Sequence, residues 1–238
     1  PVRAASTSPW ADGGAIAWVS RGTRPRYWPS MKILGLDEAG RGSVLGPMAV
    51  GAFCCEDTDV ERVVATGATD SKKLSARRRT TIRELLHDLG QADVILVSAR
   101  EIDAENINTI EERVFVELIA RFAPDRVEID APVHPRGIPA FRARLEAALT
   151  ARGVAIPEWL IEPKADLNFP AVSAASIYAK VARDASLPEL GPVGSGYPSD
   201  PTTRAWIKGF IDRQEPLPAC VRSRWGTIDK LRQQSLLG

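Results

Sequence analysis

The sequence predicts an α/β fold, a mixed sheet flanked by helices, with a helical C-terminal end. Three observations predict it. Short runs rich in Val, Ile and Leu alternate with helix-period runs from residue 33 to residue 185. Their order, β, β, α, β, α, β, α, β, α, requires a sheet covered by helices. From about residue 200 to residue 238 only helical pattern remains.

Residues 33–36 and 47–55 read as strands, the second with Val50, Ala52 and Cys54 on one face. A helix is expected over 76–89, because Ile82, Leu85, Leu86 and Leu89 fall at i, i+3, i+4 and i+7. Ser75 can cap it and Gly90 end it. A strand of buried type follows at 92–99. The stripe Val114, Phe115, Leu118, Ile119 and Phe122 makes 109–122 a helix, stopped by Pro124. Strand 126–130 leads into a Pro-rich loop over 131–139. Helix 141–149, strand 158–162 and an Ala-rich helix over 171–185 come next, then helices over 202–213 and 227–236.

A length of 238 residues suits one sizeable domain with or without a small appendage. The 44% apolar and 26% charged content is that of a globular chain, not a fibrous or disordered one. A net charge of +1 leaves no global field, so a polyanionic partner would have to meet a local basic patch. Three cysteines, two of them neighbours, make a poor disulfide framework, and without C-x-x-C a structural zinc site is not expected. Reduced thiols in a cytoplasmic protein are the reading. No apolar run approaches the roughly 20 residues that span a bilayer, so no membrane partner is expected. Residues 1–30, with Trp10, Trp18 and Trp28 and no clear period, read as an extension outside the fold, and 31–238 as the folded unit.

Asp37-Glu38 follows strand 33–36, Asp130 ends strand 126–130, and Asp166 comes soon after strand 158–162. Ligands collect at the carboxyl edges of strands in α/β sheets, so neighbouring strands would bring these acids together. Such a cluster needs cations, and an oxygen-only donor set suits Mg²⁺ or Mn²⁺. Two ions about 4 Å apart would fit phosphodiester cleavage. A strand-end Asp is also commonly a plain turn or cap residue, and the chain has 30 acids.

Gly40-Arg41-Gly42 sharpens the reading. Glycines allow close backbone approach, so main-chain groups could bind a sugar hydroxyl while Arg41 pairs with a phosphate. Gly40, Gly42 and Gly46 miss the dinucleotide-binding spacing by one residue, and no Walker A sequence occurs. Lys72 and Lys73 are phosphate candidates, while Arg77, Arg78 and Arg79 read as a solvated helix start. Tyr197, in a Gly-rich loop, could stack on a sugar or base or simply lid a core. His134 could shuttle a proton, though an exposed loop histidine is the plainer reading.

Several blocks together resemble ribonuclease HII, the type 2 ribonuclease H, in its archaeal form. They are Gly35-Leu36-Asp37-Glu38-Ala39-Gly40-Arg41-Gly42 with Gly46-Pro47, Asp70-Ser71-Lys72-Lys73-Leu74-Ser75, and Val127-Glu128-Ile129-Asp130. The remainder are Lys164-Ala165-Asp166, Val172-Ser173-Ala174-Ala175-Ser176-Ile177, Ala179-Lys180-Val181-Ala182-Arg183-Asp184 and Gly194-Ser195-Gly196-Tyr197-Pro198. The resemblance implies a ribonuclease H-like fold that hydrolyses the RNA strand of RNA/DNA hybrids and incises at ribonucleotides embedded in duplex DNA. It further implies that Asp37, Glu38, Asp130 and Asp166 are catalytic and hold the metals. Gly40, Arg41 and Gly42 would sense the 2′-hydroxyl, Tyr197 would stack on the neighbouring deoxyribose, and Lys72 and Lys180 would contact phosphates. A monomer is expected, and no convincing clamp-binding peptide stands in Gln233-Gln234-Ser235-Leu236-Leu237. A hybrid-binding module without catalysis would have lost the acids, and an integrase-like enzyme would have no use for the Gly-Arg-Gly turn.

Overall fold

The computed structural model describes residues 30–68, 74–187 and 190–236. The extension expected over residues 1–30 lies, but for Ser30, outside the described residues, and so does Lys72. The strands are β1 (Lys32–Ala39), β2 (Met48–Glu56), β3 (Gln91–Val97), β4 (Arg126–Asp130) and β5 (Glu158–Glu162). The helices are α1 (Val60–Ala65), α2 (Ala76–Leu86), α3 (Ala99–Ala104), α4 (Ile107–Phe122), α5 (Ile138–Ala151), α6 (Pro170–Ala185), α7 (Pro201–Asp212) and α8 (Gly226–Leu236). Among the described residues no helix is long and apolar enough to cross a membrane.

The sheet order is β3-β2-β1-β4-β5. β1, β2 and β3 pair antiparallel, and β4 and β5 join parallel to β1, so the sheet is mixed as expected. Alternation along β1 and β2 divides the core. Leu34, Leu36, Val50, Ala52 and Cys54 share one buried cluster with Phe115 and Leu118 of α4 and Phe141 and Leu145 of α5. Ile33, Phe53 and Cys55 share another with Ile82 and Leu86 of α2 and Ala171, Ala174 and Ala175 of α6. A third cluster joins Val44 and Leu45, just after the Gly-Arg-Gly turn, to Ile207 of α7, Val221, and Ile228 and Leu231 of α8.

The first strand is longer than its apolar run. It continues through Asp37, Glu38 and Ala39, which pair with Gly51, Val50 and Ala49 of β2. The parallel register with β4 runs only from Ile33↔Arg126 to Leu36↔Ile129. The two acids therefore lie inside β1, not after it, and beyond its last rung with β4. The helix expected over 76–89 ends earlier, at Leu86, and Ser75 caps it by accepting from the Arg78 N–H at 3.2 Å. Helix α4 starts at Ile107 behind the Asn106 cap and ends where Ala123 turns left-handed (φ 45°) before Pro124. The short helices α1 and α3 were not expected, because six residues show too little period to detect.

Helix α6 lies directly on β1 and β2 because two strand positions carry no side chain. A Cβ on Gly35 would stand 2.1 Å from the Ala171 carbonyl carbon, and one on Gly51 2.3 Å from the Ala175 oxygen. Both obstacles are main chain, so no side chain can swing away. Gly51→Ala should cost about 3 kcal/mol or more of unfolding free energy by lifting α6 off the sheet. Gly226→Ala, which meets open space, should change stability by less than about 0.5 kcal/mol. Urea unfolding of the two variants checks both values.

Candidate active site

At the end where β1 outruns β4, a cleft of about 520 Å³ is lined by Asp37, Glu38, Gly40, Arg41, Gly42, Arg79, Asp130, Ser176, Lys180 and Tyr197, with Ala39. Strand alternation sends the two leading acids to opposite faces. Asp37, 6% exposed, turns toward α6, where the Ser176 hydroxyl bonds its carboxylate. Glu38 turns toward α4 and the carboxylate of Glu111. Asp130 closes β4 beside them, and its Oδ1 accepts the Ala165 N–H at 3.2 Å. That bond ties the acid to the short 3₁₀ turn Ala165–Leu167, which carries Asp166.

Asp166 is buried, and its carbonyl accepts the Ser173 hydroxyl at 2.5 Å, but it is not among the residues lining the cleft. Among the described residues, no three His, Cys, Asp or Glu side chains stand close enough together to hold a metal ion as they are. The structure thus brings Asp37, Glu38 and Asp130 together and sets Asp166 one residue from the Asp130 contact.

Burial is the first cause of the unusual electrostatics here. It drives the Asp37 carboxyl well above its ordinary range, and the negative charge of Glu38 pushes the same way. The Glu38 carboxyl is raised to about 8 by burial and by Glu111, against the pull of Arg41. Glu111, only 1% exposed, is raised to about 7, chiefly by burial. Acids in this state keep their protons unless a cation takes their place, and an oxygen-only donor set is of the kind that suits a hard divalent ion. Asp37, Glu38 and Asp130 are the acids that line the cleft.

The turn after β1 is shaped by Gly40, whose φ of +78° an L side chain rarely adopts. Gly42 faces open space, with no atom within 4 Å of where a Cβ would stand. Arg41 points toward α4: its Nε donates to Glu111 Oε2 at 3.1 Å and its Nη2 donates to Asn108 Oδ1. Across the cleft, Tyr197 lies 5.0 Å under the guanidinium of Arg183, a buried residue of α6. Arg183 Nη2 in turn donates to Ser43 Oγ at 2.9 Å and to the Ser195 carbonyl at 2.6 Å. The turn and the tyrosine loop are thereby fastened to one side chain.

A family model described as Ribonuclease HII matches residues 34–228. The chain belongs to the ribonuclease HII family. It is 40% identical over 211 residues to the Ribonuclease HII of Archaeoglobus fulgidus, covering 85% of this chain and 97% of that one. The crystal structure of the ribonuclease H2 from Pyrococcus horikoshii superposes with a TM-score of 0.77 at 34% identity, covering 87% of this chain and all of that one. The ribonuclease HII in the Archaeoglobus fulgidus complex with PCNA gives 0.74 at 37% identity, covering 84% and 97%. The family membership makes the chain a hydrolase of the ribonuclease H type, as the resemblance implied.

In and around this cleft, three residues escaped the sequence reading. Arg79, read as part of a solvated helix start, is buried and lines the cleft, bridging Asp184 Oδ2 at 2.8 Å and the Leu74 carbonyl at 2.6 Å. Its neighbours Arg77 and Arg78 are exposed as expected. Glu111 carried a signal, since it extends the buried stripe of α4 by one turn with a charge where an apolar residue belongs. Ser176 stands in one of the blocks that carry the resemblance, but nothing local singles out one small residue in an Ala-rich helix. Lys180 is at the cleft, with its ammonium on Asp184 Oδ1 at 2.9 Å. His134 is exposed and takes the plainer role, accepting the Arg136 N–H through Nδ1 at 3.3 Å.

Buried acids in and around the cleft make metal-free stability depend on pH with a definite sign. Glu38 at about 8, and Glu111 and Glu128 at about 7, keep their protons in the folded chain after the unfolded chain has lost them. The folded state then binds more protons, so unfolding free energy falls as pH rises from about 4.5 to about 8. Asp200, lowered to about 2 chiefly by the Ser195 N–H, has its full stabilising effect above the ordinary carboxyl range and does not oppose this trend. Urea unfolding with chelator present should give a stability lower at pH 8.5 than at pH 5.5, by on the order of 2 kcal/mol.

Proposed function

We propose that the chain is an endoribonuclease that cuts the RNA strand of RNA/DNA hybrids and incises on the 5′ side of ribonucleotides embedded in duplex DNA. The products are a 3′-hydroxyl and a 5′-phosphate. The observation that carries this reading is the Gly40-Arg41-Gly42 turn, which enters the cleft immediately behind Asp37 and Glu38 and opposite Tyr197. Ligand acids alone would suit many nucleases. An exposed main chain beside them, open at Gly42, suits a sugar that differs from deoxyribose by one hydroxyl.

The cofactor in this reading is Mg²⁺ or Mn²⁺, two ions during turnover, held by Asp37, Glu38 and Asp130, with Asp166 completing the set. Divalent cations supply Lewis-acid activation of water and neutralise charge on the leaving oxygen. The rest belongs to the chain. Ser176 orients the Asp37 carboxylate, and Arg79 and Lys180, both drawn to Asp184, give the cleft a cationic wall for the phosphodiester backbone. Tyr197, fixed under Arg183, offers its ring to a deoxyribose. Lys72 is the further phosphate contact. The Arg41 guanidinium is engaged by Glu111 and Asn108, which favours the turn's backbone over that side chain as the reader of the substrate. A cytoplasmic monomer acting on these duplexes is the proposed working form, with a sliding clamp, as in the Archaeoglobus complex, the candidate protein partner.

The decisive assay uses a DNA duplex carrying one ribonucleotide with Mg²⁺ or Mn²⁺. Incision at its 5′ side supports the proposal, and cutting of an all-DNA duplex at a similar rate would sink it. Asp37→Asn should lower kcat by about a thousandfold or more with duplex affinity nearly unchanged. Gly42→Ala discriminates further, because the added methyl meets nothing in the protein. Its thermal midpoint should hold within about 2 °C while kcat/KM on the ribonucleotide duplex drops about tenfold; an unchanged kcat/KM would show that substrate does not approach this turn.

A further inference from the structure

The Gly-Arg-Gly turn is gripped from behind by a residue of the C-terminal segment. Arg222 is fully buried, and all three sides of its guanidinium donate to main-chain carbonyls. Nη2 reaches Gly40 O at 2.8 Å, Nη1 reaches Arg41 O at 2.8 Å and Nε reaches Gly46 O at 3.2 Å. The Trp225 ring lies 5.2 Å beneath it. The main chain around it is stitched to the same loop, with Arg222 N–H on Val44 O at 2.9 Å and Gly46 N–H on Cys220 O at 2.8 Å.

Such a placement is costly. Burial, and then the nearby Arg183 charge, pull the guanidinium down to about 10, and among the described residues no carboxylate stands within ion-pair distance of it, the Asp103 charge acting only from farther off. A guanidinium with no carboxylate bonded to it is unfavourable to bury. Packing α7 and α8 against Val44 and Leu45 would be served as well by an apolar side chain.

What the guanidinium adds is direction. Its planar fork takes two successive carbonyls and so fixes two successive peptide planes. In a trans peptide the N–H points opposite to the C=O. With the Gly40 and Arg41 carbonyls turned to Arg222, the N–H groups of Arg41 and Gly42 are turned away from it. Among the described residues neither of these two groups donates a hydrogen bond within the chain, while Arg41 and Gly42 line the cleft.

We propose that Arg222 is a positioning residue that aims the Arg41 and Gly42 N–H groups into the cleft and thereby sets the enzyme's discrimination between ribonucleotide and deoxyribonucleotide. This rests on the reading of the turn given under Proposed function. The residue acts through the turn and need not touch the nucleic acid.

The test uses the full chain with Arg222→Lys, which keeps the charge and most of the volume but cannot span two carbonyls in a plane. Three quantities are measured: kcat/KM on a duplex with one ribonucleotide, Kd for an all-DNA duplex, and the thermal midpoint. The expected result is a loss in kcat/KM of at least tenfold, with Kd for all-DNA within about twofold of the wild type. Ile228→Ala, a buried position of α8 in the same cluster, reports the effect of loosening this lobe and should keep kcat/KM within about twofold. Full activity of Arg222→Lys overturns the role of Arg222. An equal loss in Ile228→Ala at an equal drop in midpoint does so too, since lobe stability would then explain the loss. A wild-type chain that cuts both duplexes alike removes the reading of the turn itself, and that outcome is visible before any variant is made.

Discussion

The close seating of α6 on the sheet is the constraint on which the site depends. Gly35 and Gly51 leave no atoms between helix and strands, and Ala171, Ala175 and Ala179 supply the thin facing surface. The helix consequently holds Ser176 at the carboxylate of Asp37. Four and seven residues on, Lys180 and Arg183 fall on the same stripe. Lys180 lines the cleft wall, and Arg183 continues beyond it to Ser43 and Ser195. A single rigid helix thus sets the distance between the acids and the groups that would hold a substrate. A larger residue at either glycine would shift all of these together.

The electrostatics of the site have two halves. On one side, carboxyls on both faces of β1 are buried together, and their repulsion is only partly answered by Arg41. On the other, two buried guanidinium groups, Arg183 and Arg222, are held mainly by main-chain oxygens, a hydroxyl and aromatic faces, with a long 3.4 Å ion pair from Arg183 to Asp184 in addition. Each half is unfavourable in isolation, since charge removed from water loses more than ordinary hydrogen bonds return. Their use lies in geometry. On the proposed reading the acids would offer oxygen donors to a cation, while the guanidinium groups hold loops that have no regular structure of their own. The more stable alternative, apolar packing at those positions, would leave both loops free to turn.

Much of this was legible in the sequence, for physical reasons that differ by element. Helix α4 and strand β2 announced themselves because their apolar residues repeat at 3.6 and 2 over many residues. The boundary of β1 did not, since hydrophobicity stops at Leu36 while backbone pairing with β2 continues to Ala39. Helix α3 was missed although Ser98 and Glu101 form a capping box, with each bonding the other's backbone. That signal spans four residues and is easily overlooked without a following stripe. The acids and the Gly-Arg-Gly turn could be read because they are contiguous. Arg79, Glu111 and Arg222 could not be tied to the turn and the cleft wall by local pattern, because each acts at a sequence distance that only the folded chain closes: 105 residues from Arg79 to Asp184, 70 from Arg41 to Glu111, and 181 from Arg41 to Arg222.

Arg41 shows how the turn divides its work. The sequence suggests a cationic side chain aimed at a phosphate, yet its guanidinium meets Glu111 and Asn108 on α4. A lysine could satisfy one of those acceptors but not both in a fixed plane. With the side chain anchored toward α4 and the carbonyls anchored by Arg222, the peptide groups at residue 41 are held from two directions. Among the described residues, the N–H groups of Arg41 and Gly42 are the part of this turn left without a hydrogen bond. Backbone donors suit recognition of a small hydroxyl better than a long flexible cation does, since they lose little conformational freedom on binding and cannot reach for a misplaced ligand. On this view the arginine between the two glycines serves as a peg. It holds in place a stretch of backbone that glycine alone would leave too mobile to read a single oxygen atom.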